Sequence, residues 1–232
     1  MTEQLVFEKM ERDPLHERVH RELRAAIIAA RFEPGQKLTV RAISSAFGVS
    51  TMPVRAAFAR LAAEKAVTAL ANGTISIPLL TREQFDELIE LRMLLEGIAT
   101  EKAARVISGE EIEALQQIAG ELHEAAQAND ADAYLRLNQQ FKFTVFKAAR
   151  APALEDLIER LWLQIGPFMR HYAADIRGQL DTDRYDAVIA ALRRADGRTA
   201  RAAMEEDVAG GAAFLKRVAV FAETSAEPPA GK

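Results

Sequence analysis

The sequence contains no cysteine, which removes a disulfide framework, a thiolate nucleophile and a thiolate zinc site together. Aromatic residues make up only 6% of it, with a single tryptophan and three tyrosines, so the bulky side chains that favour strands are scarce. Alanine, leucine, glutamate and arginine are abundant instead, a balance that favours helix over sheet. No stretch approaches the roughly 20 apolar residues of a membrane span, and the opening MTEQLVFEKMERD has no apolar core of signal-peptide type. A cytoplasmic protein without a membrane partner is expected. A nucleotide-binding glycine loop and a nucleophile motif are also absent.

What is present is a globular composition, 49% hydrophobic and 28% charged over 232 residues, with room for one large or two modest domains. The net charge of −4 is unevenly distributed. Residues 12–78 carry ten Lys/Arg against five Asp/Glu, and residues 79–232 carry nineteen against twenty-six. A basic amino-terminal third joined to an acidic remainder suits a nucleic-acid module attached to something unrelated.

In that basic third, DPLHERVHRELRAAIIAARF places Leu15, Val19, Leu23, Ile27 and Ala30 on one helical face, and Pro34-Gly35 ends the helix with a turn. A second helix is expected from an N-cap at Thr39 to about Phe47, stopped by Gly48 in a positive-φ conformation. Ser50 is expected to cap a third, with Pro53 in its first turn and Val54, Phe58 and Leu61 on its buried face. VTALANGTISIP then reads as two short strands around Asn72-Gly73, the strongest short-range hairpin signal. Three helices and a hairpin make a winged helix-turn-helix, predicted over residues 1–78.

From Thr81 the period is helical throughout, with capping boxes at Thr81/Gln84 and Ser108/Glu111. Six helices are expected, at about 82–107, 109–128, 131–149, 153–177, 182–195 and 197–222, with a kink at Pro167 in the fourth. The fold class is therefore mainly α: the winged head followed by a helical bundle over 79–222. The small, polar tail 223–232 is expected to be disordered.

A recognition helix presents its amino-terminal residues to base edges while neighbouring groups hold phosphates. Here those residues are Ser50, Thr51, Met52 and Arg55, with Arg41 on the preceding helix and Asn72 and Gly73 at the hairpin tip. An arginine at position 55 can bond guanine or phosphate bidentately. The plainer alternative is a solvated arginine, or one paired with Glu64.

The stretch LRAAIIAARFEPGQKLTVRAISSAFGVSTMPVRAAFARLAAEKAV resembles the GntR family of bacterial transcription regulators. It carries Pro34-Gly35, Leu38, Gly48-Val49-Ser50, Pro53-Val54-Arg55 and Leu61 at the family's spacings. ELRMLLEGIATEKAA resembles the opening helix of the FCD domain, the all-helical ligand-binding part of the FadR-like branch, here in its six-helix (VanR-like) form. There are departures: Thr51 stands at a common arginine, Ala56 at a glutamate, and Lys65-Ala66 at an acid-glycine step.

The resemblance implies DNA contacts at Arg41, Arg55 and the wing tip, and an effector carboxylate held by Arg92. The residues alone equally allow Arg92 a helix-face salt bridge to Glu96. The family commonly holds a divalent metal with one Asp and three His; the matching positions here are Asn138, Lys142, Tyr185 and Asp207. No metal and no cofactor is therefore expected, since a protonated lysine has no lone pair to donate and repels a cation. Lys142 is expected to pair with Asp207, or to hold an acidic effector with Arg92; the alternative is a satisfied polar core. The chain's histidines, His16, His20, His123 and His171, match none of these positions, and an exposed face is expected for His16 and His20.

The function expected is a repressor that binds an inverted-repeat DNA operator as a homodimer and is released by a small organic acid. The competing class is a helical-bundle enzyme or metal-binding protein whose amino-terminal part is a scaffold. Glu110-Glu111 and Glu205-Glu206 are its candidate carboxylates, but adjacent helical residues diverge by about 100°, and caps and solvated faces explain them better.

Overall fold

The computed structural model describes residues 15–70, 74–174, 176 and 183–223. The elements are α1 (Leu15–Ile28), β1 (Lys37–Leu38), α2 (Val40–Phe47), α3 (Thr51–Ala63), β2 (Thr68–Ala69), β3 (Ile75–Ser76), α4 (Arg82–Ala103), α5 (Gly109–Ala128), α6 (Ala131–Ala148), α7 (Pro152–Ile165), a 3-10 segment (Gly166–Ala174), α8 (Asp183–Arg193) and α9 (Gly197–Val218).

In the head, Thr39 Oγ1 accepts a hydrogen bond from the Ala42 amide at 3.1 Å and so starts α2. Gly48 ends it with a φ of 64°, a conformation that glycine adopts without steric cost. Ser50 occupies the N-cap position of α3, but its hydroxyl makes no capping hydrogen bond, so the expected cap is one of position only. Val54, Phe58 and Leu61 are buried, each contributing about 1.5–3 kcal/mol by leaving water, and α3 packs on α1.

The α1 face departs from expectation at three positions. Leu15 is 46% exposed, being the first helical residue, one turn ahead of the packed face that starts at Val19. Ala30 is buried, but beyond the end of the helix, at a φ of 55°. His20, expected outside, is buried: its Nε2 lies 2.9 Å from Glu64 Oε1, and Arg24 Nε donates to Glu64 Oε2 at 3.1 Å. A carboxylate on α3's C-terminal cap supplies the partner that a buried imidazole needs.

The wing is a three-stranded antiparallel sheet in which β3 pairs with both β1 and β2, placing Ile75 opposite Leu38 and Ala69. Its tip, with Asn72 and Gly73, lies outside the described residues.

In the bundle, both capping boxes form, at Thr81/Gln84 and Ser108/Glu111. α9 packs along α4 and α8, and α5 along α6. The helix expected over 153–177 is not one kinked helix: α7 ends at Ile165 and the chain continues as the 3-10 segment. Pro167 has no N–H for an α-helical bond, and the tighter winding accommodates that loss. The last two helices are shorter than expected, ending at Arg193 and Val218.

Head and bundle meet where the 3-10 segment begins. A Cβ at Gly166 would stand 2.8 Å from the Ile27 carbonyl oxygen, so only glycine lets α1 come this close. Arg24 also contacts Glu159 of α7, and Ala222 N donates to Leu80 O at 2.9 Å beside Phe221, whose ring meets Phe85 edge-on at 5.4 Å. Residues 224–232 lie outside the described residues.

Candidate functional site

Two places assemble the residues singled out in the sequence. On the head, Arg41, Ser50, Thr51, Met52 and Arg55 are all exposed along α2 and the start of α3. Glu64, the alternative partner for Arg55, is taken by His20 and Arg24, and neither Arg41 nor Arg55 forms an ion pair with a described residue. Met52, 72% exposed, offers an apolar tip of the kind that meets a thymine methyl.

The second place lies inside the bundle. Arg92 of α4, Asn138 and Lys142 of α6, Tyr185 of α8 and Asp207 of α9 all line one cavity of about 30 Å³, room for about one water. Tyr134, Met169, Tyr172, Arg184, Val208, Gly210 and Gly211 complete the lining. None of these seven is signalled by local sequence spacing, although two adjacent glycines inside a 22-residue helix mark a close approach.

Behind the cavity lies Glu96, a carboxylate with no exposure. Its Oε1 accepts from Arg92 Nε at 2.6 Å and from Trp162 Nε1 at 2.9 Å. Its Oε2 accepts no hydrogen bond, yet Lys142 Nζ stands 3.5 Å away, so the pairing there is by charge. The Arg92 guanidinium also lies over the Trp162 ring, 4.8 Å from its centre. Arg92 thus forms the helix-face salt bridge to Glu96 that the residues alone allowed, and it also lines the cavity.

Lys142 is the centre of the arrangement. It is 2% exposed and contacts Asp207 as well as Glu96. Two carboxylates from two other helices hold its ammonium in place; a buried cation without them would be expensive. Across the cavity, Tyr185 donates to Asn138 Oδ1 at 2.9 Å, and the Tyr134 and Tyr185 hydroxyls are 3.0 Å apart. Burial pushes the phenols of Tyr134, Tyr172 and Tyr185 well above their ordinary range, helped for Tyr172 and Tyr185 by Tyr134 and Asp207. They stay neutral, and Tyr134 and Tyr185 serve as hydrogen-bond donors.

This donor set does not fit the divalent metal that the family resemblance implies. It offers one carboxylate already engaged by an ammonium, one amide, one protonated phenol and a lysine where imidazole nitrogens would be needed. Among the described residues, His123, Asp183 and Asp186 bring ligand atoms within 4.8 Å of one another, but none of them lines the cavity. His171 does not line it either. It is half-buried on the 3-10 segment against Phe168, with Nε2 unpartnered, and desolvation lowers its pKa below the ordinary value.

A family model described as the FCD domain matches residues 87–210, and one described as bacterial regulatory proteins, gntR family, matches residues 15–77. The HTH-type transcriptional regulator McbR of Escherichia coli (strain K12) is 26% identical over 204 residues, covering 85% of this chain and 91% of that protein. The gluconate operon transcriptional repressor of Bacillus subtilis (strain 168) is 28% identical over 155 residues, 67% of this chain and 62% of that protein. The solved structure of E. coli McbR/YncC superimposes with a TM-score of 0.82 at 24% identity, covering 89% of this chain and 99% of that one. A putative transcriptional regulator GntR from Rhodococcus sp. RHA1 gives 0.71 at 20% identity, covering 87% and 97%.

Proposed function

The chain belongs to the GntR family of bacterial regulatory proteins with a carboxy-terminal FCD domain, and we propose that it is a repressor released by a small organic acid. That it is a DNA-binding transcriptional regulator with an effector-binding helical domain, and not an enzyme, follows from the family itself. The finer reading divides the chain into a DNA-binding unit over 1–78, an effector-binding and dimerisation unit over 79–222 and a tail from 223. It places the protein in the cytoplasm, where its operator would be.

The observation that carries the reading is the cavity centred on Lys142, with Arg92 beside it and no imidazole among its lining residues. Lys142 supplies the positive charge a metal would otherwise bring, and Arg92 supplies a planar donor pair suited to a carboxylate. An entering anion competes with Asp207 for Lys142 and loosens α9 from α6. The 3-10 segment carries Met169 and Tyr172 to the cavity wall and Gly166 to the backbone of α1, so a shift there reaches the head. Ligand affinity and DNA affinity are then coupled through one element with two arrangements.

The repressor acts as a homodimer on an inverted repeat, because one α3 reads only a few base pairs. Leu91 and Leu94 of α4 and Leu157 of α7, each at least 40% exposed, offer an apolar face on two helices that pack together. At the operator, Arg41 and Arg55 make the principal contacts, assisted by Ser50, Thr51, Met52 and the wing tip with Asn72 and Gly73. Deleting the gene from a reporter strain should raise transcription from the promoter that the protein footprints, and the footprint should span two half-sites in inverted repeat. Lowered transcription, or a single unrepeated site, would contradict the reading.

A further inference from the structure

Arg24 of α1 is engaged in two directions at once. Its Nε donates to Glu64 Oε2 at 3.1 Å, on the C-cap of α3, and its Nη1 donates to Glu159 Oε2 of α7. One turn earlier on the same face of α1, His20 Nε2 lies 2.9 Å from Glu64 Oε1. His20 is buried and the other three side chains are half-buried, where an ion pair counts for more than on the open surface. A guanidinium suits this place, because its rigid fork of N–H donors serves two carboxylates together. The helices so joined come from both units, α1 and α3 from the head and α7 from the bundle.

A second tie between α1 and the bundle is the close approach of Gly166 to the Ile27 and Ile28 carbonyl oxygens. Arg24 and Ile27 are about one turn apart on α1, and Glu159 and Gly166 about two turns apart along α7 and its end. One point of contact is a pivot, whereas two fix an axis. The Gly166 contact is packing without direction, so the ion pair sets the angle between head and bundle. Leu157, on the exposed apolar face, is two residues from Glu159 and so about 200° away around α7. One helix thus carries the head on one side and the face offered to a partner on the other.

We propose that Glu159, which lies on none of the DNA-reading elements, determines the half-site spacing that the protein accepts, by holding Arg24 and through it the angle of α3. This rests on the reading of the protein as a homodimer on an inverted repeat. The network grips α3 at Glu64, its C-terminal end, and the reading residues Ser50 to Arg55 stand at the other. α3 has 13 residues, a length of roughly 20 Å. A tilt of about 10° over that length moves the reading end by about 3.4 Å, the rise of one base pair. An unlatched head therefore follows a half-site displaced by one base pair. A latched head cannot, and the DNA must be deformed to meet it.

The test is fluorescence anisotropy of the full chain on the operator it footprints, labelled, with the spacer between half-sites native or changed by one base pair either way. The wild type should bind the native spacing about tenfold or more tightly than either altered one. Glu159→Gln should flatten that profile to within about threefold, and Arg24→Gln should do the same from the other side of the pair. The pair is only half-buried, so Glu159→Gln should lower the melting temperature by no more than about 4 °C. A loss of stability alone would weaken every fragment in proportion and leave the ratios between spacings unchanged. Wild-type ratios in Glu159→Gln, or a wild type indifferent to spacing, would overturn the assignment. A wild-type footprint over a single half-site would instead overturn the dimer reading, so the two failures are told apart.

Discussion

Glu96→Gln is expected to cost about 3–5 kcal/mol of stability, the usual penalty for removing one partner of a buried ion pair. The carboxylate has no exposure and faces Arg92, Lys142 and the Trp162 indole together. An amide keeps the shape and can still accept from Arg92 or Trp162, but it cancels the charge on which two buried cations depend. Among the described residues, Asp207 is then the one carboxylate left at Lys142, and Arg92 loses its ion pair with position 96. For a chain of this length such a loss lowers the melting temperature by roughly 10 °C. Thermal unfolding followed by circular dichroism measures it; a drop under about 1 kcal/mol would mean that the cations do not need Glu96.

Arg55→Ala should behave in the opposite way, leaving the fold alone and weakening DNA. Arg55 is exposed and has no ion pair with a described residue, so its loss should change stability by less than about 0.5 kcal/mol. If it reads guanine or clamps phosphate bidentately, operator affinity should fall by about 1–3 kcal/mol, roughly fivefold to more than a hundredfold. Arg41→Ala should reduce affinity as well. The two readouts of a phosphate contact separate here: its removal lowers the slope of log affinity against log salt by about one, while loss of a base contact relaxes sequence preference. Anisotropy of a labelled operator at several salt concentrations decides between them. Wild-type affinity in Arg55→Ala with an intact fold would remove Arg55 from the interface.

The head was legible because its signals are local. Thr39, Gly48 and the Val54/Phe58/Leu61 face each declare themselves within one or two helical turns. β1 did not, since two residues carry no period, and it exists only because β3 pairs with it. Position 20 was misread for the same reason: Glu64, which draws His20 inside, is 44 residues away in sequence. At Pro167 the sequence indicated a kink within one helix; the chain instead rewinds into a 3-10 segment from Gly166, where it packs against the backbone of α1.

The cavity was legible only in part. The spacing of Asn138, Lys142, Tyr185 and Asp207 does not imply that they converge; the family resemblance supplied that expectation, and all four line the cavity together with Arg92. Arg184, Tyr172 and Tyr134 were missed because their places depend on how α8 and the 3-10 segment pack on α9, and α6 on the 3-10 segment. The adjacent glycines of α9 were the one sequence feature that could have pointed to them. Glu96 was visible as a helix-face partner of Arg92, but its other partners, Trp162 and Lys142, belong to different helices.

The central claim is that Lys142 stands in for a metal at the heart of the effector cavity. Elemental analysis of the purified full-length protein, after tag removal and dialysis, tests it most directly. Two buried or half-buried carboxylates already engage the Lys142 ammonium, and a divalent ion in the same place would have to displace it against its own charge. The account predicts well below one equivalent of zinc, nickel or manganese per chain. One equivalent retained through dialysis, and lost on Asp207→Ala, would contradict it.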